Sequence, residues 1–306
     1  MRTYVRYDRL EEVGMEERTA LLAILLGTKL SWSQVGVLVD ELGSAQALLS
    51  QLQGEGERLF DDGNEFQEAI SNAENLIAGW ALEGINFATF LEADFPSQLL
   101  AIHQRPPFIT WRGSQSANDS NGVAIVGTRS ASADGVRCAR QLAFEISGRG
   151  VTVVSGLAAG IDTAAHLGAL DAGGRTVAVI GTGLLRSYPK QNAALQERIA
   201  NTGMVLSQFL PEAPPTKISF PMRNAVMSGF ASATVVIEAD WKSGARMQAR
   251  LALEHGRPVF LMEQLRQHDW AREYGERPGA HFVTSVDEIL SLLDRSSLWA
   301  GHLVDS

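Results

Sequence analysis

Cysteine is nearly absent from this chain. Among 306 residues it occurs once, as Cys138, which excludes an internal disulfide and a zinc site built on cysteines, and agrees with a reducing compartment. Long apolar runs are missing too. No stretch approaches the roughly 20 consecutive apolar residues of a membrane helix, and the opening "MRTYVRYDRLEEVGMEERTA" lacks the apolar core of a secretory signal. The expectation is a soluble, cytoplasmic protein without a membrane partner. Positive charge is scarce as well, with a formal net charge of −9. That excludes a surface coated in cations but leaves room for a basic groove on one face. The six histidines show no ligand spacing, and no acidic stretch has the form of a calcium loop. Neither a metal nor a cofactor is expected.

What is present is an ordinary globular composition, 45% hydrophobic and 20% charged, enough for one large core and a smaller domain. From Met15 to about Gly84 the apolar spacing is helical, in "MEERTALLAILLG", "SQVGVLVDELG", "SAQALLSQL" and "EFQEAISNAENLIAGWALEG". Ser44 is suited to an N-cap and Gly43 to the C-cap of the preceding helix. Residues 1–84 therefore read as a small helical domain. Residues 85–120 read as a connector, with "DFP" and "RPPFITWRG" marking extended or turn structure.

Beyond "SQSANDSN" the rhythm changes. The short apolar runs "GVAIVG", "GVTVVSG", "RTVAVIG", "GMVLSQF", "ATVVIEA" and "RPVFLM" are separated mostly by amphipathic helical segments. Fully apolar β-branched runs alternating with helices predict a mostly parallel sheet covered on both faces and joined by right-handed crossovers. The fold class is thus α/β, a doubly wound Rossmann-like domain over residues 121–296 preceded by the helical domain. A last helix and a tail at 297–306 follow "GAHFVTSVDEILSLLD".

In such sheets ligands bind beyond the carboxyl ends of the strands, and the unusual residues collect there. The first loop carries Gly127, Thr128, Arg129, Ser130, Ser132 and Gly135. Glycine permits close backbone approach, hydroxyls donate to phosphate oxygens, and the next helix offers free N–H groups. It is neither a GxGxxG fingerprint nor a P-loop, and a plain strand–helix turn with an exposed arginine remains open. The second loop holds Ser155, Gly156, Gly160, Asp162 and, one turn on, His166. Asp162 suits a helix cap as well as a site, and His166 suits packing as well as chemistry. The third loop brings Gly181, Gly183, Tyr188, Pro189 and Asn192, with Tyr188 able to stack on a base or to pack beneath the loop. "FPMRN" sets Arg223 beside Asn224 before an apolar helix, a geometry for gripping phosphate. The fifth loop adds Glu238, Asp240, Trp241, Lys242, Ser243, Gly244 and Arg246. Trp241 suits base stacking or an oligomer contact.

These stretches, "AIVGTRSAS", "VVSGLAAGIDTAAHLGAL", "TVAVIGTGLLRSYPKQN", "FPMRN" and "VVIEADWKSG", resemble the DNA-processing protein A family (DprA, also called Smf) over about Asp94 to Asp294. The resemblance implies a Rossmann-like domain that binds single-stranded DNA, dimerises and helps to load RecA. It assigns Gly127, Arg129, Ser130, Ser155, Gly156, Gly160, Asp162, His166, Gly181, Gly183, Arg223, Asn224, Ser243 and Gly244 to the family's pocket. Three departures stand out. Ala225 replaces a second arginine after "RN", Ser243-Gly244 continues into Ala245-Arg246 rather than "SGS" and a threonine, and "LMEQLRQ" replaces a proline–glycine turn. A winged-helix-like segment is not expected. Lys242, Arg246 and Arg250 are the cations that can restore charge lost beside Arg223.

Two functions are compatible with these residues. In the first, single-stranded DNA lies along the edge with no chemistry. Arg129, Arg223 and Lys242 hold phosphates, Tyr188 or Trp241 stacks bases, and RecA and a second copy are partners. In the second, the chain is an N-glycosidic hydrolase acting on a nucleotide or a modified DNA base, for example removing ADP-ribose from DNA. Such a reaction needs a carboxylate and a donor for the leaving group. Asp162, Glu238 or Asp240 would supply the first and His166 the second.

Overall fold

The computed structural model describes residues 17–54 and 63–302. Met15 and Glu16 of the first expected helix, residues 55–62, and positions 303–306 of the expected tail lie outside the described residues. Two compact units are present, one within Met1–Ser97 and Pro106–Trp111, the other within Gln98–Arg105 and Arg112–Ser306.

The first unit contains α1 (residues 17–27), α2 (Trp32–Leu42), α3 (Ala45–Gly54) and α4 (Gly63–Leu82). Ala20 through Leu25 are all buried, so α1 supplies a continuous apolar rib. Ser31 and Gln34 close a capping box at the start of α2, and Gly43 ends it at φ 70° in the left-handed region. The Ser44 hydroxyl accepts from Ala47 N at 3.1 Å and caps α3. Within the stretch that reads as a connector, β1 (Asn86–Thr89) and β2 (Phe108–Gly113) pair antiparallel, Asn86 opposite Trp111 and Thr89 opposite Phe108. A short helix, α5 (Ser97–Leu100), lies between them in sequence. The pairing is held by rings: Phe87 sits 5.3 Å from Phe108 and 5.6 Å from Trp80, and Trp32 caps Phe108 at 5.2 Å.

The second unit is the doubly wound domain. It runs β3 (Val123–Val126), α6 (Ala133–Gly148), β4 (Val153–Ser155), α7 (Ile161–Asp171), β5 (Thr176–Val179), α8 (Ala193–Thr202), β6 (Met204–Ser207), α9 (Ser219–Phe230), β7 (Ala233–Val236), α10 (Gly244–Glu254), β8 (Val259–Met262), α11 (Asp269–Gly275), β9 (Ala280–Val283) and α12 (Val286–His302). The strand order is β6-β5-β4-β3-β7-β8-β9, with parallel pairing throughout. Every residue of β3 to β8 is buried, which is why those strands read as uninterrupted apolar runs. Alternate residues, Val123 and Ile125 of β3, Ala233 and Val235 of β7, Phe260 and Met262 of β8, share one core with α6, α7 and α12. The seventh strand, β9, has no such signature, because only Ala280 and Val283 are buried and His281 faces solvent. Residues 297–302, expected as tail, continue the backbone of α12.

The chain enters the sheet at β3, works outward to β6, then returns to place β7 on the other flank of β3. That reversal makes the β3–β7 boundary the topological switch point, where the loops beyond two neighbouring strands diverge and leave a crevice.

Candidate functional site

The crevice is a cavity of about 380 Å³ lined by Thr128 and Arg129 after β3, Asp162 of α7, Phe220, Arg223 and Asn224 of α9, and Lys242, Ser243 and Gly244 at the start of α10. The loop after β4 makes its floor. Gly160 sits there at φ +79°, and a Cβ on it would lie 2.5 Å from Thr128 O. Glycine alone allows that conformation and that close approach at once. Ile161 N then donates to Thr128 O at 3.3 Å, tying the second loop to the first. Next to it Leu157, wholly buried, is held at φ 56°, a conformation that costs free energy unless surroundings enforce it. Asn192 supplies the enforcement, donating to Leu157 O at 2.9 Å and to Thr163 Oγ1 at 2.8 Å. Asn192 therefore pins this loop and does not line the cavity.

Arg223 is the deepest cation. It is 6% exposed, and Nη1 donates to Val179 O at 3.0 Å while Nε has no partner. The guanidinium lies so close over Gly156 that a Cβ there would stand 2.7 Å from Nη2 and closer still to Nη1. Asp162 lies beside it, and its Oδ2 accepts from Gly156 N at 3.2 Å and Ala158 N at 3.3 Å. Burial pushes the Asp162 carboxyl up from its ordinary range, against the pull of Arg223 and the two backbone N–H groups. Burial likewise pulls Arg223 down, with Asp162 opposing it. Asp162 thus organises the loop and partly balances Arg223.

The rim is more exposed. The Arg129 guanidinium lies 4.9 Å from the Phe220 ring centre, and Tyr188, 43% exposed, packs on the same ring at 5.4 Å. Across the cavity, Ser243 caps the eleven-residue helix α10 by accepting from Ala245 N, so the positive end of its dipole faces the space beside Lys242. Trp241 is 60% exposed and carries the Arg246 guanidinium 3.7 Å over its ring. Arg250, which the sequence offers as a replacement cation, pairs with Glu254 at 2.6 Å, and Ala225 is buried in α9.

Several expected site residues are placed elsewhere. The Ser155 hydroxyl is fully buried and donates to Ile125 O at 2.6 Å, bridging two strands. His166 is fully buried with Nδ1 2.7 Å from Thr176 Oγ1, and it does not line the cavity. Burial, with Arg223 nearby, lowers its pKa to about 3, so at neutral pH it is the neutral imidazole and not the imidazolium that an acid role would need. Glu238 accepts from Ser132 N at 3.1 Å and Ser132 Oγ at 2.7 Å, capping α6. With Asp240 it lines a second cavity of about 510 Å³ on the other side of the β3 loop. The hydrolytic set Asp162, His166, Glu238 and Asp240 is therefore dispersed over three places. Gly127 and Gly244 line the first cavity, whereas Ser130, Gly156, Gly160, Gly181, Gly183 and Arg246 do not. Gly181 instead packs against Phe220, and Gly183 against the carbonyls of Leu210 and Pro211. Phe220, Met227, Met247 and Gln248 line the cavity without having been singled out. Phe220 stands within the "FPMRN" motif, which was the available signal. Among the described residues no group of three or more His, Cys, Asp or Glu is placed to hold a metal, and no helix is long and apolar enough to cross a membrane.

A doubly wound parallel sheet with a crevice at its switch point defines a Rossmann-like α/β protein. More narrowly, the chain belongs to the DNA recombination-mediator protein A family, which matches residues 86–294. It is 36% identical over 210 residues to DNA processing protein DprA of Streptococcus pneumoniae, spanning 66% of this chain and 72% of that protein. It is 42% identical over 180 residues to protein Smf of Synechocystis, spanning 58% of this chain and 45% of that one. The solved structure of Streptococcus pneumoniae DprA matches with a TM-score of 0.69 at 29% identity, covering 93% of this chain and 96% of that one. DNA processing protein A of Helicobacter pylori, whose structure concerns its single-stranded DNA binding mode, matches with a TM-score of 0.60 at 28% identity, covering 69% of this chain and 96% of that one.

Proposed function

We propose that this chain binds single-stranded DNA in DNA processing and recombination, without chemistry of its own, and that phosphates of the strand seat in the switch-point cavity. The observation that carries this reading is convergence: Arg129, Arg223, Lys242 and the N-terminus of α10 all border one cavity on an otherwise acidic chain. Tyr188 and Trp241 supply exposed ring faces at its rim, suited to bases of any identity. Kinship with proteins named for DNA processing, one of them studied for single-stranded DNA binding, supports the same reading. The hydrolytic alternative is weaker because Asp162 is the one expected carboxylate at the cavity, and His166, the expected acid, is not among the lining residues.

Fluorescence anisotropy with single- and double-stranded oligonucleotides over a range of salt tests the proposal. Single strands are expected to bind more tightly, with affinity falling as salt rises by roughly 0.7 log unit per log unit for each phosphate held. Lys242→Ala or Arg129→Ala removes about one such contact and flattens the slope by a similar amount. Equal slopes in wild type and both variants would count against the proposed seat.

A further inference from the structure

Resting on the strand-binding reading, we infer that the cavity is built for a terminal phosphate monoester, the phosphorylated end of a strand or a mononucleotide, in preference to an internal phosphodiester. Two observations point there independently. The first is charge. Three cations, Arg129, Arg223 and Lys242, border the space against one carboxylate, Asp162, and the N-terminus of α10 adds its partial positive charge. A monoester carries about −1.5 to −2 at neutral pH, whereas each backbone diester carries a single charge. The surplus of cations matches the former.

The second is depth. Arg223 is 94% buried, counting from its 6% exposure, yet it lines the cavity, and its buried Nε has no partner. A phosphate that meets this guanidinium sits within the 380 Å³ space, among Phe220, Ser243 and Gly244. A chain end brings one sugar into that space, and an internal diester brings two.

The test compares oligothymidylates, fluorescein-labelled at the far end, that differ only in carrying a 5′-phosphate, a 5′-hydroxyl, a 3′-phosphate or a 3′-hydroxyl. A circular single strand and calorimetric titrations of thymidine, thymidine 5′-monophosphate and thymidine 3′-monophosphate complete the set. One phosphate-ended strand is expected to bind at least about tenfold more tightly than its hydroxyl counterpart, as about −1.5 to −2 of added charge beside clustered cations implies. Its identity tells a 5′ from a 3′ end. Arg129→Ala and Lys242→Ala, both at exposed positions, are expected to shrink that ratio. Equal affinity for phosphate-ended, hydroxyl-ended and circular strands overturns the inference and leaves the strand-binding function standing. Binding of a monophosphate without binding of any strand sustains the monoester site and overturns the strand reading. Binding of none overturns both.

Discussion

Replacing Gly156 by alanine perturbs the site through one methyl group. That carbon would fall inside van der Waals contact of Arg223 Nη1 and Cζ and 2.7 Å from Nη2. The guanidinium has to move, and it is buried, so it cannot simply swing into water. Moving it breaks the 3.0 Å bond from Nη1 to Val179 O. A hydrogen bond from a charged group contributes about 1.5–3 kcal/mol, and overpacking a filled site costs about 1–3 kcal/mol. With part of the strain relaxed, a loss of about 3 kcal/mol is expected. For a domain of this size that lowers the unfolding midpoint by roughly 6–12 °C. Differential scanning fluorimetry measures it, with Gly244→Ala as the comparison. A Cβ at Gly244 meets nothing nearer than Asn224 Nδ2 at 4.0 Å, so that variant should stay within about 0.5 kcal/mol of wild type. The Gly156→Ala protein should also bind single strands about tenfold more weakly, because the deepest cation is displaced. Equal melting and equal affinity in Gly156→Ala and wild type would refute the packing of Arg223 on Gly156.

Three further outcomes are expected. Asp162→Asn should keep or strengthen strand binding, because a carboxylate leaves an anion site, while the bonds from Gly156 N and Ala158 N, now made to a neutral amide oxygen, weaken and lower stability by about 1 kcal/mol; anisotropy and urea unfolding on one preparation read both effects, and abolished binding in a folded variant would contradict the assignment. His166 has a folded pKa of about 3 against an ordinary 6.5. The unfolded chain therefore binds the extra proton first, so stability is full above pH 6.5 and declines as pH falls toward 3. At pH 5.5 the loss is on the order of 1 kcal/mol, visible in urea unfolding at pH 7.5 and 5.5 and absent from His166→Gln; an equal decline in both proteins would contradict it. Tyr188→Ala and Trp241→Ala should each weaken strand binding by about 1–3 kcal/mol with little change in salt slope, and a steeply altered slope would show that these rings do not act by stacking.

The doubly wound core was legible because β3 to β8 are buried on both faces and hence mostly apolar, with Ser155, Thr176, Ser207 and Thr234 as the polar exceptions. β9 escaped notice because His281 breaks its run, and a half-buried edge strand of four residues resembles a loop. β1 and β2 read from sequence only as a connector with extended or turn structure for a related reason: they are short and held by rings distant in sequence. At the site, Arg223, Asn224, Arg129 and Lys242 were legible from their place at strand ends. Ser155 and His166 stand at the same junction but turn inward, and sequence spacing fixes a helical face without telling which way a strand-end side chain points. Glu238 reads from sequence as a candidate carboxylate, because its partner, Ser132, lies 106 positions away.

The claim that carries most weight is the location of the strand. Photo-crosslinking of an oligonucleotide containing 5-iododeoxyuridine, followed by peptide mapping, tests it directly. The account predicts adducts at the cavity rim, on Tyr188, Phe220 or Trp241, that are lost when unlabelled single strand competes. Adducts that survive competition, or that map to α11 and α12 while the rim stays unmodified, would contradict it.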